Sequence, residues 1–315
     1  MRSGTRLEEE LRERADQSFL LIPPGGNYGD VLIYRGFEKL AKEVGINYSD
    51  LRTSAIDMNF LRENLRGVPF DASMAEPSMF AHDLLTRALY FYHRYFANPD
   101  IVYIHGGGHF NDIWGIGADA LRIADEYFDS RIMIGPASCN FADTDPICLF
   151  QSIESEVTFF CREMYSNEIM ADIAEDVDNL EICTANDTAL HLTPEDFDIR
   201  HTGSEYTLVA LRTDKESALT SQTIDFGTGK WPVVEEDVSI EASTIREFVS
   251  RIANANEIYT DRLHVALTAS IFDVPTTLYG NSYHKNKGVY EFSLSDHPKI
   301  NFANIGDGVC QVQSA

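Results

Sequence analysis

The sequence brings several cationic side chains close together toward the end of the chain. Arg262, His264, His284, Lys285 and Lys287 lie within one short stretch, although the 315-residue chain has a formal net charge of −25. A cluster of this kind suits a compact anionic ligand, through Coulomb attraction and charge-assisted hydrogen bonds. A solvated loop is the alternative interpretation for the two lysines.

Arg262 and His264 belong to residues 260–264 (TDRLH), between an apolar run and a predicted helix. The first turn of a helix favours acidic side chains, because the positive end of the helix dipole lies there. Two basic residues at this position therefore indicate a bound anion, unless Arg262 forms a structural pair with Asp261.

Two further arginines follow predicted strands. Arg212 ends the strand that opens the second half of the chain, and Arg162 follows the apolar run at 157–161. Each is a candidate cation at the carboxyl end of a strand, and a structural ion pair is the alternative for both.

A glycine-rich segment, residues 25–30 (GGNYGD), lies between a predicted strand and a predicted helix. Glycines let the backbone approach a ligand closely, and a helix N-terminus offers unpaired N–H groups. Asn27 and Asp30 are the polar candidates here. The alternative is a tight turn in which Asp30 only caps the helix, and the spacing is not that of a dinucleotide-binding loop.

A second glycine run, residues 106–108, follows the strand predicted at 100–105. Glycines at the carboxyl end of a strand fit a ligand lying across the sheet. The candidate ligand-binding residues of this segment are Gly107, Gly108, His109, Asn111 and Asp112. A flexible turn without a ligand is the alternative, and His105 fits a core histidine equally well.

These segments need a scaffold of strands that alternate with helices. Apolar runs predict strands at residues 18–23, 100–105, 131–135, 157–161, 180–183, 206–212, 257–260 and 276–279. Helical patterns follow at 30–45, near 116, at 166–173, 240–253 and 265–272, and a charged, solvated helix is predicted at 7–16. Alternation of this kind predicts an α/β fold with two Rossmann-like domains, parallel sheets and a cleft between them. The polar stretch at 184–205 puts the boundary near residue 200, giving domains 1–200 and 201–315.

Composition excludes several classes of protein. Fifty acidic against 25 basic residues disfavour a nucleic-acid binder or a protein that docks on an anionic membrane. Five dispersed cysteines without a C-x-x-C pair indicate a reduced protein without a zinc site. With no signal-peptide pattern and no run of membrane-spanning length, we expect a cytoplasmic protein without a membrane span. The excess of 18 arginines over 7 lysines, in so acidic a chain, suggests adaptation to strong salt.

Taken in order, the motifs resemble those of the polysaccharide pyruvyl transferase family. The matching segments are GGNYGD at 25–30, GGGHFND at 106–112, CRE at 161–163 with Ser166, ALRTDKE at 210–216, TDRLH at 260–264 and NSYHKN at 281–286. Family members often have a small residue directly after RLH, where this chain has Val265. The Arg-His pair itself is intact.

The resemblance implies two Rossmann-like domains arranged as in GT-B glycosyltransferases. It also implies phosphoenolpyruvate as donor and a sugar hydroxyl pair as acceptor, joined as a cyclic pyruvate ketal during exopolysaccharide biosynthesis or other glycan modification. Arg262, Leu263 and His264 would hold the donor in the C-terminal domain, with Arg212 as a second cation. The N-terminal domain would hold the acceptor. No cofactor and no metal is expected.

Roles in catalysis follow as a hypothesis. His264 is the candidate acid or phosphate contact, because an imidazole carries a proton near neutral pH. Asp30 or Asp112 is the candidate base. Asn27, Gly107, Gly108, His109 and Asn111 are assigned to substrate binding, together with His284 and Lys285 from the last motif.

Two other functions compete with this interpretation. One is a nucleotide-sugar glycosyltransferase of the same architecture, and the other is an inactive homologue that binds an anion or a glycan. No pattern in the sequence identifies the acceptor sugar, the linkage, the ketal stereochemistry or the oligomeric state. Loops such as 53–80 are the expected place for acceptor recognition.

Overall fold

The computed structural model describes residues 6–50, 98–199, 206–217, 219 and 231–304. The first part of the chain forms a sheet whose strands are β1 (Ser18–Ile22), β2 (Asn47–Asp50), β3 (Ile101–Ile104), β4 (Gly107–Asn111), β5 (Arg131–Asn140), β6 (Val157–Cys161) and β7 (Leu180–Thr184). Its helices are α1 (Arg6–Glu13), α2 (Tyr28–Val44), α3 (Ile116–Tyr127), α4 (Pro146–Gln151) and α5 (Met164–Ala174). Two 3₁₀ turns follow, at Thr188–His191 and Pro194–Asp196.

The second part of the chain forms another sheet. Its strands are β8 (Thr207–Ala210), β9 (Val233–Glu235), β10 (Glu257–Thr260), β11 (Thr276–Tyr279) and β12 (Ile300–Ala303). Its helices are α6 (Val238–Glu241), α7 (Ile245–Ala253), α8 (Leu263–Ile271) and α9 (Lys285–Val289), the last continued by a π-helical turn at Tyr290–Leu294.

All strand pairings in the described residues are parallel, as predicted for both sheets. The first sheet has the order β2-β1-β3-β5-β6-β7 with β4 paired to β5, and the second has the order β12-β11-β10-β8-β9. The strand order therefore reverses between β1 and β3, and again between β8 and β10. Ligands of open α/β sheets bind outside the carboxyl ends of the strands at such reversals. The loops after these four strands carry GGNYGD, the glycine run, Arg212 and TDRLH.

Helix α2 packs into the apolar cores of both sheets. Leu32 is buried among side chains of the second sheet's helices and strands, whereas Phe37 and Leu40 are buried against β1 and β3. The helix begins after the first glycine loop and ends at Gly45, which has the left-handed conformation at φ 88°. Its N-terminal turn is therefore held against both halves of the molecule.

Most predicted elements are confirmed, and the exceptions have local causes. Residues 240–253 form two helices, because Thr244 caps a new helix and accepts a hydrogen bond from the Glu247 amide. Helix α1 is not wholly solvated, since Leu7 and Leu11 are completely buried. The second glycine run leads directly into strand β4, and a Cβ atom at Gly106 would lie 2.1 Å from the Pro136 carbonyl oxygen.

Several sequence predictions fall outside the described residues. These are the boundary near residue 200, the acceptor loops at 53–80 and the fifth cysteine, Cys310. The other four cysteines, Cys139, Cys148, Cys161 and Cys183, are free thiols. No helix within the described ranges is both long and apolar enough to cross a membrane.

Candidate active site

A cavity of about 310 Å³ lies where the two sheets meet. Its walls come from the loops after β1, β6, β8 and β10, from β4 and the segment that follows it, from α6 and from the start of α9. Nine of the residues predicted to form the site line it: Asn27, Asp30, Gly108, His109, Arg212, Arg262, Leu263, His264 and Lys285. The two strand-order reversals thus face one common space, as the sequence predicted for a cleft between two sheets.

Arg262 caps helix α8 and is held by carboxylates. Its Nη2 donates to Asp237 and lies 3.3 Å from Asp214 Oδ2. Asp261 is not its partner, because that carboxylate accepts the Arg212 backbone N–H at 2.8 Å. The Arg262 Nε atom is buried and has no hydrogen-bond partner. Arg262 therefore combines a structural ion pair with a buried guanidinium N–H that has no partner.

Arg212 and Lys285 share the buried carboxylate of Glu216. The Arg212 Nη1 atom lies 3.0 Å from Glu216 Oε2, and the Lys285 ammonium donates to the same oxygen. Burial lowers the pKa of Lys285 to about 8, and Arg212 and Arg162 act in the same direction against the attraction of Glu216. The Lys285 charge is therefore easily lost on the alkaline side of neutrality.

Arg162 also lines the cavity, although the sequence left its role open between a site cation and an ion pair. Its side chain is 1% exposed, and it donates to Asp187 Oδ2 at 2.7 Å and to Ser138 Oγ at 2.9 Å. Arg162 follows β6 in the first sheet, whereas the other three cations belong to the second part of the chain. Positive charge therefore reaches the cavity from both sides.

Two histidines in the cavity each lie beside a buried carboxylate. His109 Nε2 is 3.3 Å from Asp30 Oδ1, and His264 Nε2 is 3.5 Å from Asp187 Oδ2. Neither nitrogen makes a hydrogen bond of good geometry. A Cβ atom at Gly29 would lie 2.5 Å from His264 Nδ1, so the start of α2 needs glycine to pack against this ring.

The two carboxylates are strongly ionised despite their burial. Burial alone would raise the pKa of Asp30, but His109, His264 and the Asn27 amide outweigh it and lower the pKa to about 2. The pKa of Asp187 is likewise held well below its usual range, because His264, Arg162 and the Ala189 amide outweigh burial. Each carboxylate can therefore stabilise a protonated imidazole beside it.

Asn27 and Asp30 also cap helix α2, and the N-cap is Asn27 rather than Asp30, the residue that the sequence predicted for this position. Asn27 is the N-cap, and its Oδ1 accepts the Gly29 N–H at 2.8 Å. Asp30 occupies the third helical position, where its Oδ2 accepts the Asn27 N–H at 2.8 Å. Because the capping box uses Oδ2 of Asp30, the other carboxylate oxygen, Oδ1, is free to face His109.

Two predicted site residues do not line the cavity because other groups bind their side chains. The Asp112 carboxylate accepts backbone N–H groups of the loop before α4, including that of Asp143 at 2.6 Å. His284 stacks on Tyr165 and lies 3.5 Å from Glu163 Oε1. Asp112 therefore orders a loop, and His284 belongs to a contact between α9 and α5.

Gly107 and Asn111 are also outside the cavity lining, directly behind it. Gly107 has φ 135°, and a Cβ atom there would lie 3.1 Å from the His109 ring. Asn111 donates to the Gly108 carbonyl at 2.8 Å and accepts the Trp114 N–H at 2.9 Å. Both residues thus shape the loop that presents Gly108 and His109.

The sequence assigned no role to Trp114 or Asp187, and it considered Glu216, the last residue of ALRTDKE, only as a possible ion-pair partner of Arg212. Glu216 and Asp187 are two of 50 acidic residues, so their types carried no signal before the fold brought cations to them. Trp114 is one of only two tryptophans, and its place just after the second glycine motif was the available signal. Within the described ranges, no cluster of three or more His, Cys, Asp or Glu side chains could hold a metal ion.

Comparisons with known proteins agree with this architecture. The sequence matches the polysaccharide pyruvyl transferase family over residues 27–283. No curated protein matches the chain. A functionally uncharacterised protein from Klebsiella pneumoniae subsp. pneumoniae has a similar structure, with TM-score 0.64, 20% sequence identity and coverage of 95% of this chain and 97% of that chain.

A second solved structure extends the likeness to another class of protein. A UDP-N-acetylglucosamine 2-epimerase has TM-score 0.51 and 12% sequence identity, with coverage of 92% of this chain and 83% of that chain. At such low identity these two structures show the fold alone, and they confirm the GT-B-like pair of Rossmann-like domains. Because the family match spans most of its length, the chain belongs to the polysaccharide pyruvyl transferase family.

Proposed function

We propose that the protein transfers a pyruvyl group from phosphoenolpyruvate to two hydroxyls of a sugar or glycan, forming a cyclic ketal and releasing phosphate. The observation that carries this proposal is a set of four cations, Arg162, Arg212, Arg262 and Lys285, that line one small cavity, and Arg262 also has a buried Nε–H without a partner. A guanidinium has five donors, so Arg262 can keep Asp237 and still bind an oxygen of the donor.

The size and charge of the cavity fit phosphoenolpyruvate. A volume of about 310 Å³ is at the small end of ligand sites. Phosphoenolpyruvate is compact and carries a phosphate and a carboxylate, which cations on opposite walls can bind separately. We assign the phosphate to Arg262, Leu263 and His264, because the backbone N–H groups at the start of α8 add to the positive potential there.

The reaction needs a proton on the methylene carbon of the donor. We assign this proton to His264, which lines the cavity and whose Nε2 lies 3.5 Å from the Asp187 carboxylate. Protonation turns the CH₂ group into CH₃ and leaves an oxocarbenium-like centre at C2. The first sugar hydroxyl attacks C2, phosphate leaves, and the second hydroxyl closes the ketal. One hydroxyl proton balances the proton gained by the methylene carbon, and the other leaves with phosphate.

A base must remove the proton from the attacking hydroxyl. Asp112 lies outside the cavity, and Asp30, with a pKa of about 2, is a weak base at neutral pH. We therefore propose that His109 accepts the proton and that Asp30, 3.3 Å away, stabilises the resulting imidazolium. Asp30 would thus act as a positioning residue.

The direct test is incubation of the purified protein with phosphoenolpyruvate and a panel of glycans, at low and high salt. We expect phosphate release together with a glycan whose mass increases by one pyruvate less one water. Glycosyl transfer from a nucleotide sugar, without any reaction of phosphoenolpyruvate, would favour a glycosyltransferase. Donor binding without phosphate release, with every acceptor tried, would indicate an inactive binding protein.

The cellular setting follows from the same chemistry. We propose that the modified glycan is a polysaccharide or its precursor, and that the enzyme works in the cytoplasm. The free cysteines of the described residues are compatible with a reducing compartment.

A further inference from the structure

Exposed apolar side chains are concentrated at the mouth of the cavity. Six large apolar residues in the described ranges are more than a third exposed, and Trp114, Ile116 and Ile240 line the cavity. Trp114 is 38% exposed and Ile240 is 60% exposed. Trp114 and Ile116 follow β4, whereas Ile240 lies in α6, so the two apolar surfaces face the cavity from different parts of the chain.

The Trp114 side chain is fixed although its ring remains accessible. Its indole N–H donates to Glu216 Oε1 at 2.6 Å, and its backbone N–H donates to Asn111 Oδ1 at 2.9 Å. The Lys215 ammonium lies 5.9 Å from the ring centroid. A ring held in this way loses little conformational entropy when a ligand stacks on it. An exposed indole in the cavity lining, ordered by its hydrogen bond to Glu216 on a backbone held by Asn111, is therefore suited to binding.

The apolar residues Trp114, Ile116 and Ile240 suit a different ligand from the cations that line the same cavity. Phosphoenolpyruvate is almost entirely charged and has no apolar face to place on an indole or an isoleucine. A pyranose ring does have one, because its axial C–H groups form an apolar surface while its hydroxyls project from the edge. The electron-rich face of indole attracts such C–H groups. Ser239, next to Ile240, supplies a hydroxyl to the same cavity.

We propose that Trp114, with Ile116 and Ile240, forms the subsite for the acceptor, a neutral pyranoside whose ring stacks on the indole. This inference rests on the proposed function, since it supplies the second substrate of that reaction. It places acceptor recognition at the cavity mouth, on residues that the sequence did not identify.

Glu216 connects this subsite to the donor cations. One of its oxygens accepts the Trp114 indole N–H, while the other accepts Lys285 and lies 3.0 Å from Arg212. One buried carboxylate thus fixes the stacking platform and the cations of the cavity floor together. A sugar on Trp114 has its hydroxyl edge next to a donor held by these cations, as transfer requires.

Binding can be measured on Trp114 itself. The chain has two tryptophans, so Trp231→Phe leaves Trp114 as the single reporter. We expect a saturable change in its fluorescence with one or more of the methyl pyranosides of glucose, galactose, mannose and N-acetylglucosamine. No change with any of these sugars would overturn the proposal. A change with uridine diphosphate, but with none of the sugars, would overturn it in favour of a stacked nucleobase.

Kinetics separate this subsite from the donor site. We expect Trp114→Ala to raise the acceptor KM about tenfold or more and to change the phosphoenolpyruvate KM little. Trp114→Phe retains a stacking face but loses the bond to Glu216, so its acceptor KM should be intermediate. Met164→Ala is the matched control, because Met164 is 47% exposed and lies outside the cavity. Equal acceptor KM values in the Trp114→Ala and Met164→Ala proteins would overturn the proposal.

The outcomes also separate this inference from the proposed function. Ketal formation by the wild type, with an acceptor KM unaffected by Trp114→Ala, would refute the subsite alone. Sugar-dependent fluorescence without any reaction of phosphoenolpyruvate would refute the proposed function and leave the sugar site intact.

Discussion

At the scale of single residues, the role of His264 as the acid can be tested by a single substitution. His264 lies in the cavity beside Asp187, 3.5 Å from its carboxylate. We expect His264→Ala to lower kcat by about 10²–10⁴-fold, the usual contribution of acid–base catalysis. Steady-state assays of phosphate release measure this directly, and near-normal turnover would remove His264 from the chemistry.

His284 provides the matched control for that substitution. The sequence assigned it to substrate binding, but its ring stacks on Tyr165 outside the cavity. His284→Ala should therefore leave kcat and the donor KM within about twofold of the wild type, since its ring contacts Tyr165 and Glu163 and does not line the cavity. A decrease in kcat comparable to that of His264→Ala would show that His284 takes part in the reaction.

The charge state of Lys285 predicts that binding of the proposed donor depends on pH. Burial lowers its pKa to about 8, and a lysine is cationic only below its pKa. We therefore expect the affinity for phosphoenolpyruvate to fall as the pH rises from 7 to 9. In Lys285→Arg this fall should disappear, because a guanidinium stays charged throughout that range. Calorimetric titrations at several pH values would measure this affinity in both proteins. The same dependence of affinity on pH in the wild type and in Lys285→Arg would exclude Lys285 as the cause.

The cations and histidines of the site could be predicted because basic residues are half as numerous as acidic ones in this chain and because these follow apolar runs. Arg262, His264 and Lys285 were found in this way, and all three line the cavity. The direction of a side chain within a loop was not predictable, since it depends on distant partners. The Asp112 carboxylate accepts hydrogen bonds from the amides of residues 142–144. The Glu216 carboxylate belongs to the site because it accepts hydrogen bonds from Lys285 and Trp114.

At the scale of elements, helix α2 has a glycine, Gly36, at a position where a side chain would not fit. A Cβ atom at Gly36 would lie 1.9 Å from the Thr188 carbonyl oxygen. Alanine in a helix interior is normally more favourable than glycine by about 1 kcal/mol. Here we expect Gly36→Ala to lower the free energy of unfolding by about 1–3 kcal/mol, because overlap with a backbone atom forces the helix to shift.

Denaturant unfolding measures this difference. Arg35→Ala changes the exposed neighbouring position and should be nearly neutral, so it controls for helix propensity. A Gly36→Ala protein as stable as the wild type would mean that α2 and the turn after Asp187 are not held together as described.

The strands were predictable because buried parallel strands appear as short apolar runs bounded by turn residues. Strands β6, β10 and β11 have the predicted bounds. Strand β4 was missed, because its sequence, GGHFN, has neither the apolar character nor the β-branched residues of a strand. Its pairing with β5 is a tertiary effect, made possible by the close packing of Gly106 on Pro136.

At the scale of the whole molecule, net charge should govern stability. A formal charge of −25 creates long-range repulsion, and salt screens it over a Debye length of about 10 Å at 0.1 M and 3 Å at 1 M. We expect the Tm to rise by several degrees between 0.1 and 1 M KCl at pH 7. The increase should be smaller at pH 5, where carboxylates begin to take up protons. A Tm independent of KCl at pH 7 would show that repulsion does not limit stability.

The two halves meet at one cavity, which we propose binds phosphoenolpyruvate through Arg262. The most direct measurement is a calorimetric titration of the wild type and of Arg262→Lys with phosphoenolpyruvate. Lysine keeps a positive charge opposite Asp237 and Asp214 but lacks the free Nε–H donor. We expect one donor molecule bound per wild-type chain. We expect the dissociation constant of the Arg262→Lys protein to be higher by about tenfold or more. No binding by the wild type, or equal affinity in both proteins, would contradict it.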